Sequence, residues 1–368
     1  MKRPYVFRYP WGRGLHFVIG GNRYEGMSQK QISLWTASAL LMGGLTACGG
    51  GGEGAPAGSS GTPERESEIK IGILIPGSPT DGGFSQQATE AGALLEERFD
   101  CHVAVVEAAT ADAIKSEGET MAAEGYKIVF GHGGQCSTPL AEISQDYPDT
   151  WFVTTGGTEI RENQFHACLC LEQGTYVAGV IAGLMTKSNV IGCSVGGDFP
   201  AYTKTTNGFK LGAESVNPDV EVLFAVLSST DTTEAYETTT NQIQMGADFI
   251  YSNTNEGQGG AIKAVSEHEG VRAFGSLGDF IPLAPESVVG NTMGDWSRAF
   301  IKAAEAILSG EMGEPEIMYL DMSNESVSSE WNEALKKEIP QEVLDKVDET
   351  IQAIADGAIH VPNEYELG

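Results

Sequence analysis

Residues 69–75, Ile69-Lys70-Ile71-Gly72-Ile73-Leu74-Ile75, form a β-rich apolar run that stops at Pro76-Gly77. A helical stretch over residues 84–99 follows, then a second short apolar run, Val103-Ala104-Val105-Val106. The alternation continues with a helix to about residue 125, a strand at 127–130, a helix at 139–146 and a strand at 151–154. Apolar strands separated by helices of this length imply βαβ units and a parallel sheet. The same rhythm returns further on. Strands are expected at 190–195, 220–226, 248–252 and 271–274, with helices at 203–216, 233–245 and 260–269. The fold class is therefore α/β, with two Rossmann-like lobes in tandem joined by a hinge. Ligands of such sheets sit beyond the carboxyl ends of the strands. Here those ends are the loops 76–84, 131–138, 154–158, 196–202, 253–259 and 275–279, which line one cleft if the lobes face each other. The expected first lobe is 68–186 with 292–315, and the second is 187–291 with 316–368. Crossings are expected at 185–189 and 287–293, and the tail at 329–359 reads as amphipathic helix.

Upstream of this region, residues 49–67, GGGGEGAPAGSSGTPERES, are Gly, Ser, Pro and charge, the composition of a flexible linker with a typical reach of roughly 25 Å. Before it stands Leu45-Thr46-Ala47-Cys48, preceded by a short apolar run from Leu34 and by Lys30. A basic flank, an apolar core and small residues before a cut mark a secretory signal, and the run is too short to span a bilayer. The Cys at the cut resembles a bacterial lipobox. Residues 1–47 are thus expected to be a signal peptide and 48–67 a lipidated Cys48 plus linker, placing the protein on the extracytoplasmic face of a bacterial cell membrane. Met27 offers a more ordinary start for such a leader; a long basic leader, cleaved all the same, is the alternative.

The chain carries a net charge of −29, and residues 1–47 hold six basic residues and one acid, so the remainder stands near −34. So acidic a surface excludes nucleic acid as a partner and disfavours docking to anionic lipid through the protein surface. Cys48, Cys101, Cys136, Cys168, Cys170 and Cys193 show no zinc-type spacing,. Cys168 and Cys170 share a strand face at a separation poor for a disulfide, and buried free thiols are the expectation. There is no Ser-His-Asp signature, metal-ligand cluster or nucleotide fingerprint, and the six His are scattered. The chain is read as a binding protein without a cofactor, not an enzyme.

Several landmarks occur in a characteristic order: Asp81-Gly82-Gly83-Phe84-Ser85-Gln86, Tyr147-Pro148-Asp149, Gly174-Thr175-Tyr176-Val177-Ala178-Gly179, Thr186-Lys187-Ser188-Asn189, Gly208-Phe209-Lys210-Leu211-Gly212-Ala213, Val216-Asn217-Pro218-Asp219, Met245-Gly246-Ala247-Asp248 and Gly275-Ser276-Leu277-Gly278-Asp279. With these the chain resembles the basic membrane protein family of substrate-binding lipoproteins. The resemblance implies the type I periplasmic-binding fold, a purine base or nucleoside as small-molecule ligand, an ABC permease as partner, a membrane held through the lipid anchor, and a monomer.

It also implies site residues. In the family an aromatic at the Phe84 position stacks on the purine, and neighbouring polar residues, here Asp81 and Ser85, bond to the ring edge. A flat heteroaromatic offers π faces and ring nitrogens suited to both; the alternative role of Phe84 is to staple the next helix to the sheet. The loop Gly131-His132-Gly133-Gly134-Gln135 lets backbone approach a ligand and nominates His132 and Gln135, although the glycines would equally serve a plain turn. Tyr202, and Asn253 with Asn255, sit on loops of the second half. Asp279 matches an acid that holds ribose hydroxyls in the nucleoside branch, as a carboxylate accepting two bonds can. Trp296 begins the return helix and either covers the cleft or packs in the core. Two positions depart from the nucleoside branch: Thr205 replaces a second stacking aromatic, and Gly290 replaces a ribose-contacting Lys. Both favour a free base or another polar solute. A sugar, or a receptor or adhesin role, remains as the alternative.

Overall fold

The computed structural model describes residues 69–80 and 84–363. The expectations for the leader, Cys48, the linker and Asp81 fall outside the described residues. The first sheet is built from β1 (Lys70–Ile75), β2 (His102–Glu107), β3 (Ile128–Gly131), β4 (Trp151–Thr155) and β5 (Gln164–Leu169). Among them run α1 (Phe84–Phe99), α2 (Ala111–Ala123) and α3 (Ser137–Ser144). The chain continues through α4 (Leu171–Met185), β6 (Val190–Val195), α5 (Pro200–Val216), β7 (Glu221–Val226), α6 (Thr232–Gln244), β8 (Phe249–Asn253), α7 (Gln258–Ser266), β9 (Arg272–Ser276) and β10 (Val288–Gly294). It ends with α8 (Ser297–Ser309), β11 (Met318–Leu320), β12 (Val327–Trp331), α9 (Glu333–Lys336) and α10 (Gln341–Ala355).

Two six-stranded sheets result, ordered β11-β5-β4-β3-β1-β2 and β12-β10-β9-β8-β6-β7. Every pairing in the first is parallel. In the second only the β10–β12 pair is antiparallel. The apolar run of β1 is buried from Ile71 to Ile75, because a parallel strand has helices over both faces. Side-chain caps mark the helix starts: Thr110 accepts from the Ala113 N–H before α2, and Asp231 accepts from Thr233 and Glu234 before α6,.

The lobe boundaries differ from the expected ones. The chain crosses between sheets at 169–171 (β5 to α4), at 294–297 (β10 to α8) and at 320–327 (β11 to β12). The expected crossing at 185–189 would leave α4 in the first lobe, yet α4 packs mainly on α5. Glycines explain this. A Cβ on Gly179 would stand 2.0 Å from the Phe209 carbonyl oxygen, and one on Gly212 2.0 Å from that of Tyr176. The two helices are in backbone contact, so α4 moves with the second lobe. Residues 287–293, expected as a crossing, are β10 itself. Met318–Leu320, expected in the second lobe, is an edge strand of the first sheet. The tail begins as strand, with helix following: α10 buries Val343, Val347, Thr350 and Ile354 along one stripe,.

Candidate ligand-binding site

The carboxyl ends of the two sheets meet at the crossings. A Cβ on Gly294, the last residue of β10, would stand 2.5 Å from Leu169 at the end of β5 and 3.0 Å from Leu277 after β9. The ligand cleft of this architecture opens there. Two cavities, of about 330 Å³ beside α5 and β7 and of about 280 Å³ between α4, β12 and α10, have none of the nominated cleft residues in their linings.

On the first-lobe side the structure brings Phe84, His132 and Trp296 together from three distant places. Phe84 opens α1, His132 follows β3, and Trp296 caps α8. The His132 imidazole stacks on the Phe84 ring with centroids 3.6 Å apart and planes at 20°. Trp296 stands perpendicular to both, 6.2 Å from Phe84 and 6.0 Å from His132. Phe300 supports His132 from α8 at 5.7 Å. Phe84 remains 38% exposed while His132 is fully buried, so one face of the phenyl ring is backed by imidazole.

Hydrogen bonds fix the imidazole. The Phe84 carbonyl can only accept, so His132 Nε2–H donates to it at 2.9 Å,. Nδ1 then accepts from the Thr155 hydroxyl at 2.9 Å, and the same hydroxyl oxygen accepts the Gly133 N–H at 2.7 Å. This assigns the Nε2–H tautomer from the network. His132 is thus the rigid backing of Phe84. Thr155, not singled out from the sequence, sets its orientation; the polar Thr154-Thr155 pair before Gly156-Gly157 is the signal that marks it. Gln135 is exposed, with its amide within reach of any side chain added at Gly133. Ser85 is buried in the first turn of α1.

The second-lobe side is polar. Tyr202 is half-buried, and its hydroxyl accepts from Asn255 Nδ2 at 2.6 Å. Asn253 is buried and donates to Thr205 Oγ1 at 3.2 Å. Thr205 in turn donates to the Tyr202 carbonyl. Tyr251 donates to Ser276 Oγ at 3.0 Å. Burial pushes the Tyr251 phenol up to about 12, and burial likewise raises that of Tyr202, so both remain neutral donors near neutrality. Asp279 is exposed; its Oδ1 accepts from the Ile281 N–H and from Asn291 Nδ2 at 3.2 Å. Asn291, also not foreseen, is buried on β10 and aims the acid. Gly290 lies within β10, four residues before its end, where a Cβ would stand 2.6 Å from the Glu330 carbonyl oxygen and 2.8 Å from the Trp331 ring.

Between the lobes, Lys204 of α5 is buried with Glu172 of α4, Nζ to Oε2 3.4 Å. The same ammonium donates to the Leu169 carbonyl at 2.7 Å. It ties the second-lobe helix pair to the end of the first sheet.

A family model described as "Bmp: ABC transporter substrate-binding protein PnrA-like" matches residues 68–362. Over 255 residues the chain is 29% identical to a purine-binding protein of Brucella abortus, covering 68% of this chain and 72% of that one. It is 23% identical over 337 residues to a putative ABC transporter glucose-binding protein of Haloferax volcanii, covering 91% and 82%. Among solved structures, an ABC transporter solute-binding protein from Conexibacter woesei superposes with a TM-score of 0.63 at 20% identity, covering 80% of this chain and 99% of that one.

Proposed function

The chain belongs to the PnrA-like family of ABC transporter substrate-binding proteins, and from that premise we propose that it captures a purine base or nucleoside in the interlobe cleft and hands it to an ABC permease. The family is non-enzymatic and extracytoplasmic, and its fold is the type I periplasmic-binding fold of two α/β lobes. Two lobes joined by three crossings close on a ligand by hinge motion. The observation that carries the purine reading is Phe84: an exposed ring at the cleft, immobilised by stacking on His132. A rigid aromatic face binds flat heterocycles at little entropic cost. The likeness to the Brucella purine-binding protein supports it. Phe84→Ala is expected to weaken purine binding by about 1–3 kcal/mol, roughly 10- to 100-fold. Unchanged affinity would remove Phe84 from the site.

A sugar is the second reading. The amide and hydroxyl cluster of Tyr202, Thr205, Asn253 and Asn255 favours it, as does the likeness to the Haloferax glucose-binding protein. Membrane retention belongs to the same proposal and rests on the lipobox at Cys48. Cys48→Ser is expected to shift the protein from the membrane pellet to the soluble fraction; a variant that still pellets contradicts the anchor.

A further inference from the structure

We propose that β7 is an association edge, through which two copies of this chain pair antiparallel about a two-fold axis at Phe224. β7 is the last strand of the second sheet, and among the described residues it pairs with β6 alone. The N–H groups of Glu221 and Leu227 donate to the Asn189 and Val195 carbonyls on the β6 side. Backbone groups alternate in direction along a strand, so those of Val222, Phe224 and Val226 point outward. The side chains of the same three residues share one face. Phe224 is 51% and Val226 44% exposed, the pattern of an edge open to pairing. The strand has no Lys, Pro or bulge to blunt it, and its one charge is Glu221 at its start.

The first sheet shows how such an edge is otherwise closed. Its edge strand β2 lies under α1, where a Cβ on Gly92 would stand 3.2 Å from Val103 and 3.6 Å from Val105. In the second lobe α5 is drawn against α4 by the glycine contacts and lies over β6 and β8. A cavity of about 330 Å³ remains between α5 and β7, lined by Val222, Phe224, Cys193, Asn207 and Lys210 among others. A second copy fits this edge by pattern and by charge. Phe224 opposite Phe224 is the one antiparallel register that joins all three outward-pointing residues, with Val222 facing Val226. It forms about six backbone hydrogen bonds and sets apolar side chains against each other. The cavity lies on that same face and takes up the opposing ring. The register also sets Glu221 opposite Leu227 and Asp219 opposite Ser229, so no acid faces an acid. Such a contact is isologous and closes as a dimer, a departure from the monomer that the family resemblance implies.

The test is sedimentation velocity of the full chain over a range of concentrations at physiological ionic strength, in the Cys48→Ser form so that no acyl chain drives association. With β7 intact, a reversible monomer–dimer equilibrium is expected. Phe224→Lys sets two like charges on the axis and is expected to weaken association roughly 10-fold or more. Its thermal midpoint should be unchanged, because the ring it replaces is half exposed. Register is read separately. Phe224→Cys meets its own copy across the axis at about 5.5 Å between Cα atoms, within disulfide reach. Mild oxidation should therefore give a covalent dimer beyond what the native thiols yield, whereas Ala225→Cys, two residues out of step with its own copy, should give none. A chain that stays monomeric throughout, a Phe224→Lys variant that associates as tightly as its parent, or equal cross-linking of the two cysteine variants overturns the proposal.

Discussion

Lys204→Met is expected to lower the unfolding free energy by about 3–5 kcal/mol, the cost of breaking a buried ion pair by removing one partner. Lys204 and Glu172 have side chains only 5% and 1% exposed, at 3.4 Å. Removing the ammonium breaks the ion pair with the buried Glu172 carboxylate and takes one donor from the Leu169 carbonyl. The double variant Lys204→Met/Glu172→Gln should recover most of the loss, since a neutral amide no longer carries the desolvation cost of an ion. Denaturant melts of the three proteins measure this. A single variant within about 1 kcal/mol of wild type would mean that solvent reaches Glu172 and that the pair does not tie the lobes. The consequence for function lies at the hinge. The Lys204–Leu169 bond joins α5, whose first turns carry Tyr202, to the strand end at the first crossing.

Gly212→Ala is the second large effect. Alanine normally improves a helix by about 1 kcal/mol over glycine. Here its Cβ would stand 2.0 Å from the Tyr176 carbonyl oxygen, and that neighbour is backbone. Helices α4 and α5 would have to separate, carrying Gly179, Gly183 and Gly208 out of their own close contacts. A net destabilisation of about 3 kcal/mol or more is expected, at the upper end for overpacking. Gly259→Ala provides the opposite sign. It also sits in a helix, α7, but nothing lies within 4 Å of its Cβ, so a gain of about 0.5–1 kcal/mol is expected. Thermal and urea melts of both variants decide it; equal responses would contradict the backbone contact between α4 and α5.

That contrast also shows what the residues disclose unaided. The runs at 69–75, 190–195 and 248–252 announce strands because parallel strands buried on both faces need unbroken apolar side chains. β5 was harder to see, since Gln164 and His166 interrupt it. Both are buried polar residues, and Gln164 Nε2 reaches the Ser137 carbonyl. β10 carries Gly290, Asn291 and Thr292 and so resembled a connection. β11, three residues long, has no period to detect. Phe84, His132 and Trp296 were each visible as candidates. Their mutual stacking was not, because it depends on where the end of β3 lies relative to the starts of α1 and α8. Likewise Gly212 and Gly259 look alike in a helical stretch; only the neighbouring helix distinguishes them.

The measurement that tests the central claim most directly is calorimetric titration of the purified protein, freed of carried-over ligand by unfolding and refolding. The panel is adenine, guanine, hypoxanthine, adenosine, guanosine and inosine, with ribose and glucose as controls. Submicromolar binding of a purine, with no heat from either sugar, is the expected result, and base against nucleoside assigns the ligand class. A refolded protein that ignores all six purines, or that binds glucose in their place, contradicts the purine assignment.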